Sequence, residues 1–495
     1  MRELLARTAH ELLADVSSGE IDHNELQEAQ YAFAREIDGE LNNFTAWDEV
    51  VESQGWDLDL SPDRMQTFSH MPFAAKDLFA TKGLSTTSGS NILKGYEPSF
   101  DASIVAHLRQ EKNHLMGKTN MDEFAMGSSG ENSAYGPSRN PWDLARVAGG
   151  SSSGSASAVA ACQSFMALGT DTGGSIRIPA SFCGVVGYRP TYGLLSRYGM
   201  VAYSSSCDQA GTFTRCTLDA ALAMNTMSHP DPLDSTCRVT ERIDYYADAR
   251  KPIHWNKLRV GVISQFMDPE RVDNAVLANC QRSIDILREA GAEIIELDFS
   301  IAQYCIPAYY VITAAECSSN LARYDGVRFG DEPQGDDLLE RYLDVRSRGF
   351  GEEVKRRILL GTYVLSSGYF DAYYNRARAM RGEIARTMSE MFRKVDVIVC
   401  PTSPNVAFGI GEKADDPVAM YMSDLFTVFV NLAGLCGVSM PNGFADSDGS
   451  SLPTSIQFVC PGFHDSLLLR ICSQFEELSA WRFTPPAWIT EKLGA

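Results

Sequence analysis

Apolar residues recur at helical spacing from the start of the chain: Leu5, Ala9, Leu12, Leu13 and Val16 share one face. Residues 1–60 therefore read as mainly helical, loosening over Ala46–Ser61. The pattern then changes. His70–Ala75 is an apolar, proline-punctuated run that reads as a strand with Lys76 at its end. Gly83–Ser90 is a Thr/Ser/Gly loop, Ile104–Gln110 returns to helical spacing, and His114–Gly117 is a short strand. Thr119–Ala134 is polar and aperiodic. Ala156–Cys162 reads as a helix, because alanine dominates in helical phase. Phe165–Thr170 reads as a buried strand and Asp171–Ser175 as a turn, and Pro179 suits the first turn of the helix that follows.

Farther along, Leu258–Ile263 and Glu293–Leu297 are strand-like and flank a helix. Val276, Cys280, Ser283 and Leu287 line one face of that helix, and Gly291 stops it. Val395–Cys400 is another buried strand, closed by Pro401. This alternation predicts an α/β fold, a sheet covered by helices on both faces. The chain shows no internal repeat and no low-complexity linker. The expected division is a helical region over 1–60 packed on the core, one large unit over 61–485, and a tail over 486–495. A charge-rich helical lobe near 218–390 belongs to the large unit.

Composition narrows the function classes. The chain has 495 residues, 44% of them hydrophobic, enough for a substantial core. It lacks any run of 18 apolar residues, so no membrane-spanning helix is expected. Five acidic residues precede His23, which fits neither a signal peptide nor a mitochondrial transit peptide. The start reads as the first helix of the mature fold. A net charge of −21 repels phosphate backbones, so another molecule should provide the main grip on any nucleic acid. Twelve cysteines without a C-x-x-C pair read as small buried hydrophobes in a reducing cytoplasm. Only Cys460 has a histidine close behind it, His464. The eight histidines form no H-x-x-x-H or H-E-x-x-H pattern, so no metal site is expected.

The chemistry concentrates between Gly149 and Arg177, where two serine clusters sit on glycine-rich turns. Serine is a weak nucleophile and needs a base. Neither cluster contains a histidine, but a lysine buried beside apolar groups can lose its proton near neutrality. Met71–Ala75 provides such company for Lys76. A second serine can relay the proton between a nucleophile and a lysine too distant to reach it. The reading is a chain Ser175–Ser151–Lys76, with the amides of Thr172, Gly173 and Gly174 facing the oxyanion. Taken singly, each part has another reading. A Ser/Gly cluster can be a plain loop, a lysine after an apolar strand can snorkel to the surface, and D-T-G-G-S can cradle a phosphate, although no Walker lysine follows it.

The joint pattern resembles the amidase signature family. In the first cluster, Gly149-Gly150-Ser151-Ser152, Ser151 precedes Ser175 of the second by 24 residues; the second reads Asp171-Thr172-Gly173-Gly174-Ser175-Ile176-Arg177-Ile178-Pro179. The resemblance continues through Cys183-Gly184, Arg189-Pro190-Thr191 and Asp208-Gln209-Ala210-Gly211. It implies a large central twisted mixed sheet, Ser175 as acyl nucleophile, Ser151 as relay after a cis Gly150–Ser151 peptide, and Lys76 as base and acid. The chain departs from the family pattern at Ala148, Ser153, Arg189, Ala210 and Thr212, none of them in the catalytic trio.

Further stretches are similar to one branch of that family, the glutaminase subunits of tRNA-dependent amidotransferases. They are Gly117–Ser129, Tyr309–Val311, Glu353–Thr362 with Ser366–Tyr369 and Tyr373–Tyr374, Met420–Asp424, and Asn431–Gly434. This similarity implies Arg357 on the glutamine carboxylate, Asp424 on its ammonium, Tyr309 as a hydroxyl partner, and Gly127 and Ser128 in the substrate pocket. It implies no cofactor in this chain. It also implies a small C subunit and a B subunit that uses ATP and Mg²⁺ on misacylated Glu-tRNA(Gln), or also Asp-tRNA(Asn). The implied setting is cytoplasmic, with no membrane. Residue patterns alone leave Arg357 readable as part of a solvated helix face and Asp424 as a capping carboxylate. A stand-alone amidase on another small amide and a silent scaffold are the competing readings.

Overall fold

Among the described residues thirteen strands form in chain order, and eleven of them join one sheet. The computed structural model describes residues 1–49, 65–326, 328 and 334–494. The first three strands are β1 (Phe44–Trp47), β2 (Pro72–Lys76) and β3 (His114–Thr119). A separate two-stranded ribbon follows, β4 (Arg139–Asn140) and β5 (Asp143–Val147). Then come β6 (Met166–Thr170), β7 (Val186–Arg189), β8 (Ala210–Thr214), β9 (Arg259–Ile263), β10 (Glu293–Leu297) and β11 (Val397–Pro401). The last two, β12 (Cys436–Ser447) and β13 (Ser450–Cys460), form a long hairpin. The sheet order is β1-β3-β2-β6-β8-β7-β12-β13-β11-β9-β10.

The sheet is mixed, as expected. β3, β2 and β6 run parallel at one side, β11, β9 and β10 at the other, and antiparallel pairs join the two groups. The strand–helix–strand unit read between Leu258 and Leu297 is present, and Val276, Cys280, Ser283 and Leu287 are its buried stripe. β2, β6, β7, β8 and β11 are buried at every position, as strands covered on both faces must be.

Several expectations need correction. The N-terminal region does more than pack on the core, since β1 runs into the start of the stretch read as loose and closes one edge of the sheet. Residues 50–61 of that stretch lie outside the described residues. The charge-rich segment 218–390 contributes β9 and β10 to the same sheet. The expected tail contains a helix, Ala487–Leu493, which buries Ile489 and Leu493 and donates a hydrogen bond from Trp488 Nε1 to the Pro141 carbonyl.

This topology places the chemistry. Lys76, Thr119 and Thr170 are the carboxyl-terminal residues of three adjacent parallel strands. Ligand sites in open α/β sheets form beyond such ends. The two serine clusters meet there, each leading into a short buried helix, Ser153–Ala160 and Arg177–Cys183.

Candidate active site

Lys76 is fully buried at the end of β2. Its Nζ lies 2.7 Å from Ser151 Oγ, 2.9 Å from Ser152 Oγ and 3.0 Å from Thr170 Oγ1. Burial pushes the amine down to about 7, against the opposing pull of Asp122, Asp171 and Asp208. An amine near that value exists in both protonation states at neutral pH and can give or take a proton. Ser152 donates its own proton to the Thr170 carbonyl at 3.2 Å, so toward Nζ it acts as an acceptor. Ser151 carries no such constraint and can accept from the ammonium or donate to the neutral amine.

The Gly150–Ser151 peptide is cis. Asp122 N donates to the Ser151 carbonyl at 3.1 Å, and Gly150 N donates to the Ser128 carbonyl at 2.8 Å. A Cβ at Gly150 would lie 2.0 Å from Asp122 Oδ2, so only glycine lets this turn come so close. Asp122 is buried and accepts from Gly130 N and Asn132 N; burial raises its carboxyl to about 6.

Ser175 is 7% exposed, and its Oγ makes no hydrogen bond among the described residues. The chain read from the sequence is thus formed at its inner leg, Lys76 to Ser151, while the outer leg to Ser175 is not a hydrogen bond here. The amides of Thr172, Gly173, Gly174 and Ser175 likewise make no hydrogen bond among the described residues. Four successive unpaired N–H groups beside a serine hydroxyl are suited to a developing negative charge.

The loop holding those amides is anchored on all sides. Asp171 accepts from Arg177 Nε and Nη2 at 3.0 and 2.9 Å and from Asn431 Nδ2 at 2.8 Å, with Arg189 Nε 3.4 Å away. Burial alone would raise its carboxyl, but the two arginines and Asn431 outweigh burial and hold it at about 2. Thr172 Oγ1 donates to Asp208 at 2.7 Å, and Thr427 Oγ1 donates to the Gly173 carbonyl at 2.5 Å. Gly173 also carries the Tyr309 ring: a Cβ there would stand 2.5 Å from Tyr309 Oη.

The residues read as substrate contacts gather around a second cluster. Asp424 accepts from Ser128 Oγ and from Tyr310 Oη, each at 2.8 Å, and burial pushes its carboxyl up to about 6. Arg357 is buried, not part of a solvated face. Its Nε donates to Glu353 at 2.7 Å and its Nη1 to Tyr203 Oη at 2.6 Å. Gly127 lies instead against the Asp122 carboxylate, on the Ser151 side. Thr427 joins the clusters, since its hydroxyl reaches both the Gly173 and Asp424 carbonyls.

Sequence reading missed Ser152, Thr170, Asp122, Tyr310, Tyr203, Glu353 and Thr427. Asp122, Tyr310 and Glu353 lie inside stretches already singled out, but Tyr203 and Thr427 carry no signal outside the fold. Among the described residues, His10, Cys216 and Asp219 form the one group suited to a metal. It stands apart from this site, and both Asp219 oxygens accept backbone N–H groups of the Ala9–Ser18 helix. Among the described residues no helix is long and apolar enough to cross a membrane.

The chain is 44% identical over 489 residues to the A subunit of a glutamyl-tRNA(Gln) amidotransferase from Thermoanaerobacter pseudethanolicus, covering 98% of this chain and 99% of the relative. A protein of the same name from Streptomyces avermitilis is 46% identical over 481 residues, covering 96% and 95%. Among solved structures, the crystal structure of the glutamyl-tRNA(Gln) amidotransferase A subunit from Thermotoga maritima superposes with a TM-score of 0.77 at 36% identity, covering 95% of this chain and 94% of that one. A 6-aminohexanoate cyclic dimer hydrolase, solved with its substrate, gives 0.80 at 27% identity, covering 98% and 99%. The Amidase family profile matches residues 27–469, and with a buried lysine wired to a serine turn beside unpaired amides, the chain belongs to the amidase family.

Proposed function

We propose that this chain is the glutamine-hydrolysing subunit of a tRNA-dependent amidotransferase. Ser175 Oγ attacks the side-chain amide carbon of glutamine and passes its proton through Ser151 to Lys76. The oxyanion is received by the amides of Thr172, Gly173 and Gly174. Lys76, now charged, returns a proton through Ser151 to the departing nitrogen. The C–N bond breaks, ammonia leaves, and a glutamyl ester remains on Ser175. Water, deprotonated by the same relay, attacks the ester and releases glutamate with Ser175 restored.

Glutamine is held at its head group. Arg357 takes the α-carboxylate, and Asp424, oriented by Ser128 and Tyr310, takes the α-ammonium. Tyr309, whose ring lies against Gly173, serves as a hydroxyl partner of the substrate, and Gly127 leaves room beside Asp122. The ammonia goes to a B subunit, joined through a small C subunit, which uses ATP and Mg²⁺ to activate Glu-tRNA(Gln), or also Asp-tRNA(Asn). The negative charge of the chain suits a division of labour in which that partner holds the tRNA. The setting is cytoplasmic.

The observation that carries the reading is Lys76, fully buried and 2.7 Å from Ser151. The test is co-expression with candidate B and C subunits, followed by a glutamine-dependent assay of Glu-tRNA(Gln) conversion with Ser175→Ala as control. Conversion lost in the variant supports the proposal. Conversion that persists in the variant contradicts it, as does a wild-type complex that turns over simple amides but not glutamine.

A further inference from the structure

We infer that Glu353 is a positioning residue that sets both halves of the amino-acid head-group site without touching the substrate. The inference rests on the assignment of Arg357 and Asp424 proposed above.

Glu353 and Arg357 are one turn apart on the helix Glu352–Leu365, but this is no surface pair. Their side chains are only 10% and 5% exposed. Glu353 Oε1 accepts from two donors, Arg357 Nε at 2.7 Å and Tyr421 Oη at 3.0 Å. Its other oxygen accepts from Arg356. Held at both oxygens, the carboxylate has one orientation, and it fixes the Nε edge of Arg357.

The rest of the guanidinium is held by rings. Its centre lies 5.2 Å from the Tyr310 ring, 5.5 Å from Tyr421 and 5.6 Å from Tyr203, within cation–π range of all three. Nη1 donates to Tyr203, while Nη2 makes no hydrogen bond among the described residues. The donors left over are the two N–H groups of Nη2 and the second N–H of Nη1, at the tip of the guanidinium. They present a pre-oriented edge to a carboxylate, and less ordering is needed on binding.

The second half follows through Tyr421. Its ring stacks on Tyr310 at 4.0 Å, and Tyr310 Oη donates to Asp424. Glu353 thus reaches the carboxylate-binding group by a direct ion pair and the ammonium-binding group by a hydroxyl and a stack. It also neutralises Arg357 while the site is empty, where an unpaired buried cation would be strongly unfavourable. The start of the helix is fixed from outside, because Glu123 accepts from Gly351 N at 2.8 Å.

A positioning role predicts an effect on recognition of the head group and none on the reactivity of Ser175. In the co-expressed complex, Glu353→Ala should raise the KM for glutamine by roughly tenfold or more with kcat changed less than about threefold. The rate at which a small sulfonyl fluoride labels Ser175 should stay within about twofold of wild type. Glu353→Gln keeps an oxygen acceptor for Arg357 and Tyr421, so its KM should return to within about threefold of wild type. An unchanged KM in Glu353→Ala overturns the inference. So does slowed labelling, which would mean general collapse, and so does a glutamine variant as impaired as the alanine one. Arg357→Ala separates the two levels. If it leaves KM unchanged, the head-group assignment itself is wrong. If it raises KM while Glu353→Ala does not, only the positioning role fails.

Discussion

Lys76 Nζ and Ser151 Oγ lie 2.7 Å apart, with both residues fully buried. Water is excluded from the hydrogen bond between them, so the protonation state of the lysine is set by the protein. Burial brings the amine down to about 7, and the nearby carboxylates keep it from falling further.

The first prediction is a pH profile. The proposed relay needs a neutral amine at the moment of attack, and below about 7 the amine is protonated. Accordingly, kcat/KM for glutamine should rise with pH through about 7, and that limb should report the free enzyme. Lys76→Arg stays protonated throughout and should show neither the rising limb nor measurable turnover. A rise centred well below 6 or above 8.5 would assign the limb to another group.

The hydroxyls around Lys76 should differ in weight. Ser151→Ala removes the proposed relay between Lys76 and Ser175, and kcat should fall by roughly 10²–10⁴. Ser152→Ala removes an acceptor whose own proton already goes to the Thr170 carbonyl, so the fall should be no more than about tenfold. Steady-state kinetics on the two variants decide it. Equal losses would remove the distinction between relay and support.

The meeting of Lys76 with Ser151 was legible because both lie in short local motifs, where residues in fixed order say what the backbone must do. The strands β2, β6 and β9–β11 were legible as short apolar runs. The middle of the sheet was not. β7 and β8 hold glycines where a Cβ would clash with their neighbours, so they look like loops in the sequence. β12 contains Pro441 and Gly443 at a register shift, which breaks the period-two signal. Arg357 was partly legible. It falls in phase with Val354, Gly361 and Val364, the buried stripe of its helix, although its charged neighbours suggest a solvated face. Its tyrosine partners come from three distant segments, and no local pattern announces them.

Asp424 should give glutamine binding its own pH dependence. Burial raises its carboxyl to about 6, and only the carboxylate can hold an ammonium. As pH falls through about 6, the KM for glutamine should rise, separately from the Lys76 limb. Asp424→Asn should raise KM by roughly tenfold or more and abolish this dependence. A KM that is flat between pH 5 and 7 in the wild type would contradict the assignment.

The anchor of the oxyanion loop makes a prediction about stability. Asp171→Ala leaves Arg177 and Arg189 buried without their carboxylate and should cost about 3–5 kcal/mol, read from urea unfolding. The pH dependence has a definite sign. Asp171 sits at about 2 in the folded protein and near the ordinary carboxylate value of about 4 when unfolded. Its contribution is complete above about 4 and is lost as pH falls toward 2. The variant should therefore lack that part of the acid-side loss of stability.

The account depends on Ser175 becoming acylated through Lys76 and Ser151. Mass spectrometry of peptides from the complex, acid-quenched during turnover of glutamine, tests this directly. The prediction is a glutamyl ester on Ser175 that accumulates in the wild type and is absent from Lys76→Ala. A glutamyl group on any other residue, or undiminished acylation of Ser175 in Lys76→Ala, would contradict it.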